Sequence, residues 1–244
     1  YFGIVDFLKK NVIKLLIYLF YKRLDKIVCN SKYIGNYLKL KYGFKSDTIY
    51  PPSIISNEKL SLKKNHKLPK IIQISTVCRL SKEKGIQKLI LGFNYLNVKK
   101  KLILNIIGDG PEKKHLKELV IKLNLHKKVK FYGYKNNVEK FLLKTHLYIN
   151  TSYFEGFPNS VVEAVNFGIP VISSQSHGGI NEILVNGRGG TIYKSSYKSL
   201  AHNIEKFLVN PKYFYNKAKI AKKNVMRFTL ENHLKKFENL INKI

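Results

Sequence analysis

The chain has 244 residues, 44% hydrophobic and 12% aromatic, which is enough apolar material to build a buried core and excludes a disordered tail. Lys and Arg number 45 against 15 Asp and Glu, a formal net charge of +30 that would ordinarily suit nucleic acid, anionic lipid or phosphorylated ligands. Nucleic acid is set aside as a partner, because Lys is spread among Asn, Ile and Tyr along the whole chain while specific readers gather Arg and aromatic residues on one element.

The chain opens on Tyr1 inside a helical pattern, which leads us to expect that an amino-terminal portion is absent. Its early apolar run "VIKLLIYLFY" (12–21) is interrupted by Lys14 and too short to span a bilayer. No cleavable signal is seen, and a cytoplasmic location is expected. The basic helix "FLKKNVIKLLIYLFYKRL" (7–24) leaves open a peripheral contact with the inner face of an anionic membrane, or an apolar face that belongs to a core. A strand (26–30), a helix (31–43) with Ser31 as its N-cap and a strand (47–51) ended by Pro51-Pro52 follow. Residues 1–56 are too few for an independent Rossmann-type domain, which needs about 100 residues, so they are expected to be the tail end of a second domain. Residues 57–70, polar and Lys-rich, read as a linker.

From residue 71 short apolar runs alternate with helical ones. Strands are expected at 71–77, 102–107, 129–132, 147–150, 171–174 and 191–193, and helices at 84–96, 111–125, 136–145 and 159–167. Continuous Ile, Leu and Val runs between helices indicate a parallel sheet covered on both faces, an α/β doubly wound domain over 71–226. The chain is helical from 194 to its end. Leu200, Ile204, Phe207 and Leu208 form one stripe, and Phe228, Leu230, Leu234, Phe237, Leu240 and Ile241 support a closing helix within 227–244. Cys29 and Cys78, both in apolar runs, are expected to be buried free thiols.

Ligands of open α/β sheets bind beyond the carboxyl ends of the strands, so the loops there carry the function. "CRLSKEKG" places Arg79 and Lys84 beside helix-terminal amides, a site suited to a diphosphate. In "GDGP", Gly108 and Gly110 allow a tight turn and close approach of a ligand, while Pro111 suits a first helical turn. Position 113 is Lys rather than a third glycine, so dinucleotide binding is poorly supported. Gly133, in "YGYK", lets the chain pass close to a flat ligand such as a base.

In "FEGFPNSVVEA" two acids, Glu155 and Glu163, flank Gly156, Phe157, Asn159 and Ser160 at a helix start. Acids beside a phosphate site make sense as acceptors for hydroxyl groups, and the set of cations, amides and carboxylates fits a nucleotide sugar.

In order, "DKIVCNSKYI", "RLSKEKG", "IIGDGPEKKHL", "VKFYGY", "EGFPNSVVEA", "GIPVISS", "GGINEIL" and "NGRGG" resemble the donor-binding, carboxyl-terminal half of GT-B fold glycosyltransferases of the large retaining family 4, the glycosyl transferases group 1 type. The resemblance covers about residues 22–194 and implies a Rossmann-like GT-B carboxyl-terminal domain with a remnant of the amino-terminal domain. It implies that Arg79 and Lys84 hold the donor diphosphate, that Glu155 contacts the transferred sugar and that Glu163 binds ribose. The loop at Gly133 and Tyr134 would meet the base, Gly108 and Gly110 would lie beneath the nucleotide, and the amides of Phe157, Asn159 and Ser160 would serve sugar and phosphate. Glu182 matches a frequent family acid, here given a structural role. The histidines have no metal spacing, and neither a metal nor a cofactor is implied. The resemblance implies a nucleotide-sugar donor, with a UDP-sugar favoured over a GDP-sugar. It implies a lipid-linked or glycan acceptor bound through the amino-terminal domain, and a closing helix expected to cross back to that domain. The alternative is a nucleotide-binding module without catalysis.

Overall fold

In the computed structural model, residues 2–54, 67–194 and 196–243 are described, with the helical backbone alone over 2–10. The expected linker therefore lies outside the described residues over 57–66. The front segment begins with helix α1 (Phe2–Tyr21), strand β1 (Val28–Cys29), helix α2 (Lys32–Tyr42) and strand β2 (Asp47–Thr48), which pairs in parallel with β1. Ser31 caps α2 as expected, its side chain accepting from the Ile34 amide, and Gly43 closes the helix in the left-handed conformation. Both front strands are shorter than the apolar runs that encode them, since each pairs on one side with only two residues.

The main sheet uses β3 (Ile71–Val77), β4 (Lys101–Ile107), β5 (Val129–Gly133), β6 (Leu147–Asn150), β7 (Val171–Ser174) and β8 (Thr191–Tyr193). Their order is β5-β4-β3-β6-β7-β8 and every pairing is parallel. Winding runs outward from β3 to β5, then reverses to lay β6 on the other side of β3. Neighbouring strands β3 and β6 thus leave in opposite senses, the condition for a crevice at their carboxyl ends. Their pairing stops at Ser75↔Tyr148, and the Tyr148 hydroxyl lies 3.1 Å from both the N and O of Val77.

Intervening helices are α3 (Ile86–Tyr95), α4 (Lys113–Lys122), α5 (Glu139–Leu142), α6 (Asn159–Asn166) and α7 (Ile180–Ile183). Beyond the sheet come α8 (Tyr197–Val209), α9 (Pro211–Val225) and α10 (Leu230–Ile241). Alternate strand residues feed two apolar layers. Ile72, Ile74, Ile149 and Ile172 pack with Leu89, Ile90 and Phe207 on the α3 and α8 side, whereas Tyr148 and Val171 pack with Val161, Val165 and Val225 on the α6 and α9 side. The apolar runs are continuous because both faces are covered.

Several expected elements change in extent. The helix expected at 136–145 contracts to α5, and that at 111–125 to α4, with Pro111 in the preceding turn. The helix expected at 84–96 divides into a 3₁₀ turn, Lys82–Lys84, and α3, because Gly85 between them is left-handed (φ 63°). Cys29 is buried in β1 as expected, while Cys78 is partly exposed just past β3.

Front segment and main sheet are joined by specific contacts. Ile54 bridges Thr229, and Tyr50 and Phe228 stack edge to face with centroids 4.8 Å apart. Glu182 accepts from the amides of Lys32 and Tyr33, each at 3.2 Å, and from the Tyr50 hydroxyl at 2.6 Å. It therefore caps the amino end of α2, where a carboxylate complements the helix dipole, in keeping with its structural assignment. On the outer surface Leu230, Leu234, Phe237 and Ile241 of α10 and Val12 through Leu16 of α1 are exposed.

Candidate functional site

The Lys82–Lys84 turn and the loop after β6 are laced together. Thr151 Oγ1 donates to the Lys84 carbonyl at 2.8 Å, and the Tyr153 amide donates to the Glu83 carbonyl at 2.8 Å. A side chain at Gly85 would put its Cβ 2.5 Å from the Thr151 carbonyl oxygen, so only glycine lets these loops approach so closely. Lacing of this kind brings Lys84 Nζ within 2.9 Å of Glu155 Oε1, 71 residues away in sequence, with the two side chains 21% and 12% exposed. The same Oε1 accepts from Ser152 Oγ at 2.6 Å. Glu155 is thus oriented by a cation and a hydroxyl, both fixed by the backbone around them.

A cleft of about 630 Å³ opens at the switch point. Its lining includes Arg79 and Cys78 after β3, Gly108 and Asp109 after β4, Tyr134 to Asn136 after β5, and Asn159, Ser160 and Glu163 of α6. Six expected site residues therefore meet in one cavity: Arg79, Gly108, Tyr134, Asn159, Ser160 and Glu163. Lys84 and Glu155 stand close enough to Cys78, in its wall, to act on that thiol electrostatically. Burial raises the Cys78 thiol to about 12, against the opposing effect of Lys84, so it stays protonated near neutral pH and is no nucleophile there.

The amino end of α6 suits an anion. Pro158 precedes it and offers no side-chain acceptor, and the first amide that Pro158 bonds is that of Val161. The amides of Asn159 and Ser160 lie ahead of that bond, where donors are normally left over and the helix dipole favours negative charge. Asn159 Oδ1 accepts from Ser53 Oγ at 3.0 Å, which fixes its side chain. One turn further on, Glu163 is shielded enough for burial to hold its carboxyl above the usual range.

Besides Lys84 and Glu155, four expected residues do not line the cleft: Gly110, Gly133, Gly156 and Phe157. Phe157 is buried, with ring centroids 5.5 Å from Tyr50 and 4.9 Å from Phe228, so its side chain belongs to the core. A Cβ on Gly156 would sit 2.9 Å from Asn30 Nδ2, which makes that glycine a contact for the front segment. A Cβ on Gly110 would meet the Leu80 backbone at 2.5 Å, and one on Gly108 would overlap the Cys78 carbonyl. Their lack of side chains thus serves packing of the β4 loop on the β3 loop. Gly133 is left-handed at φ 69° and turns the chain into the Tyr134 to Asn136 rim.

Ser152, His177 and Gly178 were not singled out from the sequence. Gly178 has φ 124°, and a Cβ there would overlap the Glu155 carbonyl oxygen, while the Glu155 amide donates to the His177 carbonyl at 3.0 Å. His177 Nδ1 lies 2.6 Å from the Tyr33 hydroxyl. The Gly178-Gly179 pair was a readable sign of close backbone approach. Nothing distinguished Ser152 from the chain's other serines.

Residues 57–225 match the family model described as glycosyl transferases group 1. The chain is 36% identical over 180 residues to an uncharacterized glycosyltransferase, MJ1059, of Methanocaldococcus jannaschii, covering 68% of this chain and 43% of that protein. It is 29% identical over 238 residues to a Campylobacter jejuni N-acetylgalactosamine-N,N'-diacetylbacillosaminyl-diphospho-undecaprenol 4-alpha-N-acetylgalactosaminyltransferase, with 90% and 62% of the two chains covered. Among solved structures, Anabaena Alr3699/HepE in complex with UDP and glucose superposes with a TM-score of 0.78 at 21% identity, over 96% of this chain and 66% of that one. A glycosyltransferase from Rickettsia africae superposes with a TM-score of 0.80 at 19% identity, over 96% and 67%. The chain spans about half the length of the curated relatives it matches.

Proposed function

The chain belongs to the glycosyl transferases group 1 family, and from that premise we propose that its protein transfers a sugar, with retention, from a nucleoside-diphosphate sugar to a lipid-linked or glycan acceptor. The observation that carries this reading is the cleft at the β3 and β6 switch point, which gathers Arg79, Asn159, Ser160 and Glu163 beside the Lys84–Glu155 pair. Arg79, Lys84 and the α6 amides take the diphosphate and stabilise the charge that develops on the departing nucleoside diphosphate. Glu155 accepts hydroxyls of the transferred sugar, and Glu163 accepts those of the ribose. A UDP-sugar is the favoured donor, supported by a fold shared with a UDP-bound structure, and two relatives are named for O-antigen biosynthesis and for a diphospho-undecaprenol substrate. Surface polysaccharide or glycolipid synthesis is therefore the proposed setting.

Thermal stabilisation across UDP, GDP, ADP and their sugars tests donor binding and identifies the base. If none stabilises the chain, the donor-site reading fails; binding without sugar transfer would instead leave a nucleotide-binding module. Among the described residues no helix is long and apolar enough to cross a membrane. The exposed Val12, Ile13, Leu15, Leu16, Leu19 and Phe20 of α1, with Lys14 and Lys22 on the same helix and just beyond it, support peripheral contact with anionic lipid. Sedimentation with anionic vesicles tests it, and equal binding to neutral vesicles would remove the electrostatic part.

A further inference from the structure

At the carboxyl ends of β6 and β7 lies a polar cluster that the fold alone does not demand. Asn150, Ser152, Ser173 and Ser174 are 7%, 1%, 0% and 0% exposed, and buried polar groups are destabilising unless their bonds are complete. Ser152 Oγ lies 2.6 Å from Glu155 Oε1 and 2.9 Å from Asn150 Oδ1. Asn150 Nδ2 lies 3.1 Å from Ser173 Oγ, and Ser174 Oγ donates to the Ser152 carbonyl at 2.6 Å.

The Ser152 proton goes to Glu155, the nearer and charged acceptor. A serine hydroxyl has one proton, yet with the Asn150 carbonyl toward it Ser152 faces two acceptors, that carbonyl and the Glu155 carboxylate paired with Lys84. Oxygen and nitrogen of an asparagine amide exchange places on a half-turn without moving the side chain, and their assignment follows from the network. With Asn150 turned, its amide donates to Ser152, Ser152 donates to Glu155, and the Asn150 carbonyl accepts from Ser173. Ser173 Oγ, which also lies 3.0 Å from the Ser174 carbonyl, then gives its one proton to Asn150 instead, and the chain of bonds points at Glu155.

We infer that Ser152, oriented by Asn150 and Ser173, is a positioning residue that fixes the Glu155 carboxylate for the transferred sugar. The assignment rests on the reading of Glu155 as a sugar contact. Both anchors, Ser152 and Lys84, hold the same oxygen, Oε1. Oε2 has no hydrogen-bond partner among the described residues, so one carboxylate oxygen is immobilised and the other is free to accept a sugar hydroxyl. A hydrogen bond to a charged group is among the stronger ones, and misplacing such a group by a fraction of an ångström weakens what it orients.

The test compares Ser152→Ala and Ser152→Thr with the wild type, using the full chain and the nucleotide and nucleotide-sugar pair that best stabilises it, UDP and its sugar if the base is uracil. Ser152→Ala is expected to weaken nucleotide-sugar binding about tenfold while leaving the bare nucleotide within about twofold, since only the sugar meets Glu155. Ser152→Thr, which keeps the hydroxyl, restores the sugar increment. Ser173→Ala, at the far end of the chain of bonds, gives a smaller loss in the same direction and serves if Ser152→Ala folds poorly. Equal weakening of nucleotide and nucleotide sugar, or no change in either, overturns the positioning role while leaving the donor site intact. A wild type that binds no nucleotide of the panel brings down the donor site and the positioning role together.

Discussion

Lys84 and Glu155 form the ion pair on which the proposed donor handling turns, and a double-mutant cycle measures it. At 2.9 Å two unit charges attract by about 6 kcal/mol at an effective dielectric constant near 20. Desolvation of two largely covered side chains offsets most of that, leaving a net coupling of about 1–3 kcal/mol. Lys84→Met alone leaves Glu155 covered and held only by Ser152, and is expected to destabilise by about 1–3 kcal/mol, a fall in Tm of a few degrees for a chain of this size. Glu155→Gln in the same background recovers part of the loss. Urea unfolding of the wild type, both singles and the double gives the coupling directly. Since the pair is only 21% and 12% exposed, most of the coupling should survive 0.5 M salt, unlike that of a surface pair. For the proposed sugar transfer, Lys84→Met should lower kcat about 100- to 1,000-fold, the usual effect of removing one preorganised charge. A coupling under about 0.5 kcal/mol, or wild-type turnover in Lys84→Met, would refute the idea that the pair is an oriented unit rather than a surface contact.

Glu163 is shielded, and its carboxyl is held above the usual range by burial. The folded state therefore keeps its proton to higher pH than the unfolded state does, so stability falls as pH rises from the ordinary carboxylate range through the raised value. Glu163→Gln should raise Tm at neutral pH, have little effect at pH 4 and weaken nucleotide binding; an unchanged Tm at pH 7 would contradict the burial account. Phe228 is 1% exposed and packs between Tyr50 and Phe157, with centroids 4.8 and 4.9 Å away. Phe228→Ala should destabilise by about 3–5 kcal/mol in denaturant titration, and a loss under about 1 kcal/mol would show that this cluster does not tie the front segment to the site loop. Gly178→Ala should collapse nucleotide-sugar binding along with stability, because its Cβ would overlap the Glu155 carbonyl; a variant with wild-type Tm and binding would disprove that constraint.

The layout of the sheet was legible because continuous Ile and Leu runs such as 71–77 and 102–107 are what a strand covered on both faces requires, and β3 and β4 follow them closely. Element ends were less legible. Gly85 divides an otherwise helical run, and the two-residue strands β1 and β2 stop where their pairing stops, which depends on neighbours rather than on local pattern. Gly108 and Gly110 were read as a tight turn that lets a ligand approach the backbone; the backbone of Cys78 and Leu80 packs against both, and Gly108 also lines the cleft.

From the sequence by itself came the type of fold, the loops that carry chemistry and the residue types in them, since strand and helix periods and the turn chemistry of Gly and Pro are properties of short covalent stretches. Tertiary structure alone decided that Lys84 meets Glu155, that Ser152 holds the same oxygen, that Glu182 caps α2 and that Phe157 turns into the core. Those contacts join residues brought together by strand order and loop crossings. A hydrogen bond is made or lost over less than an ångström, a distance that no spacing along the chain encodes.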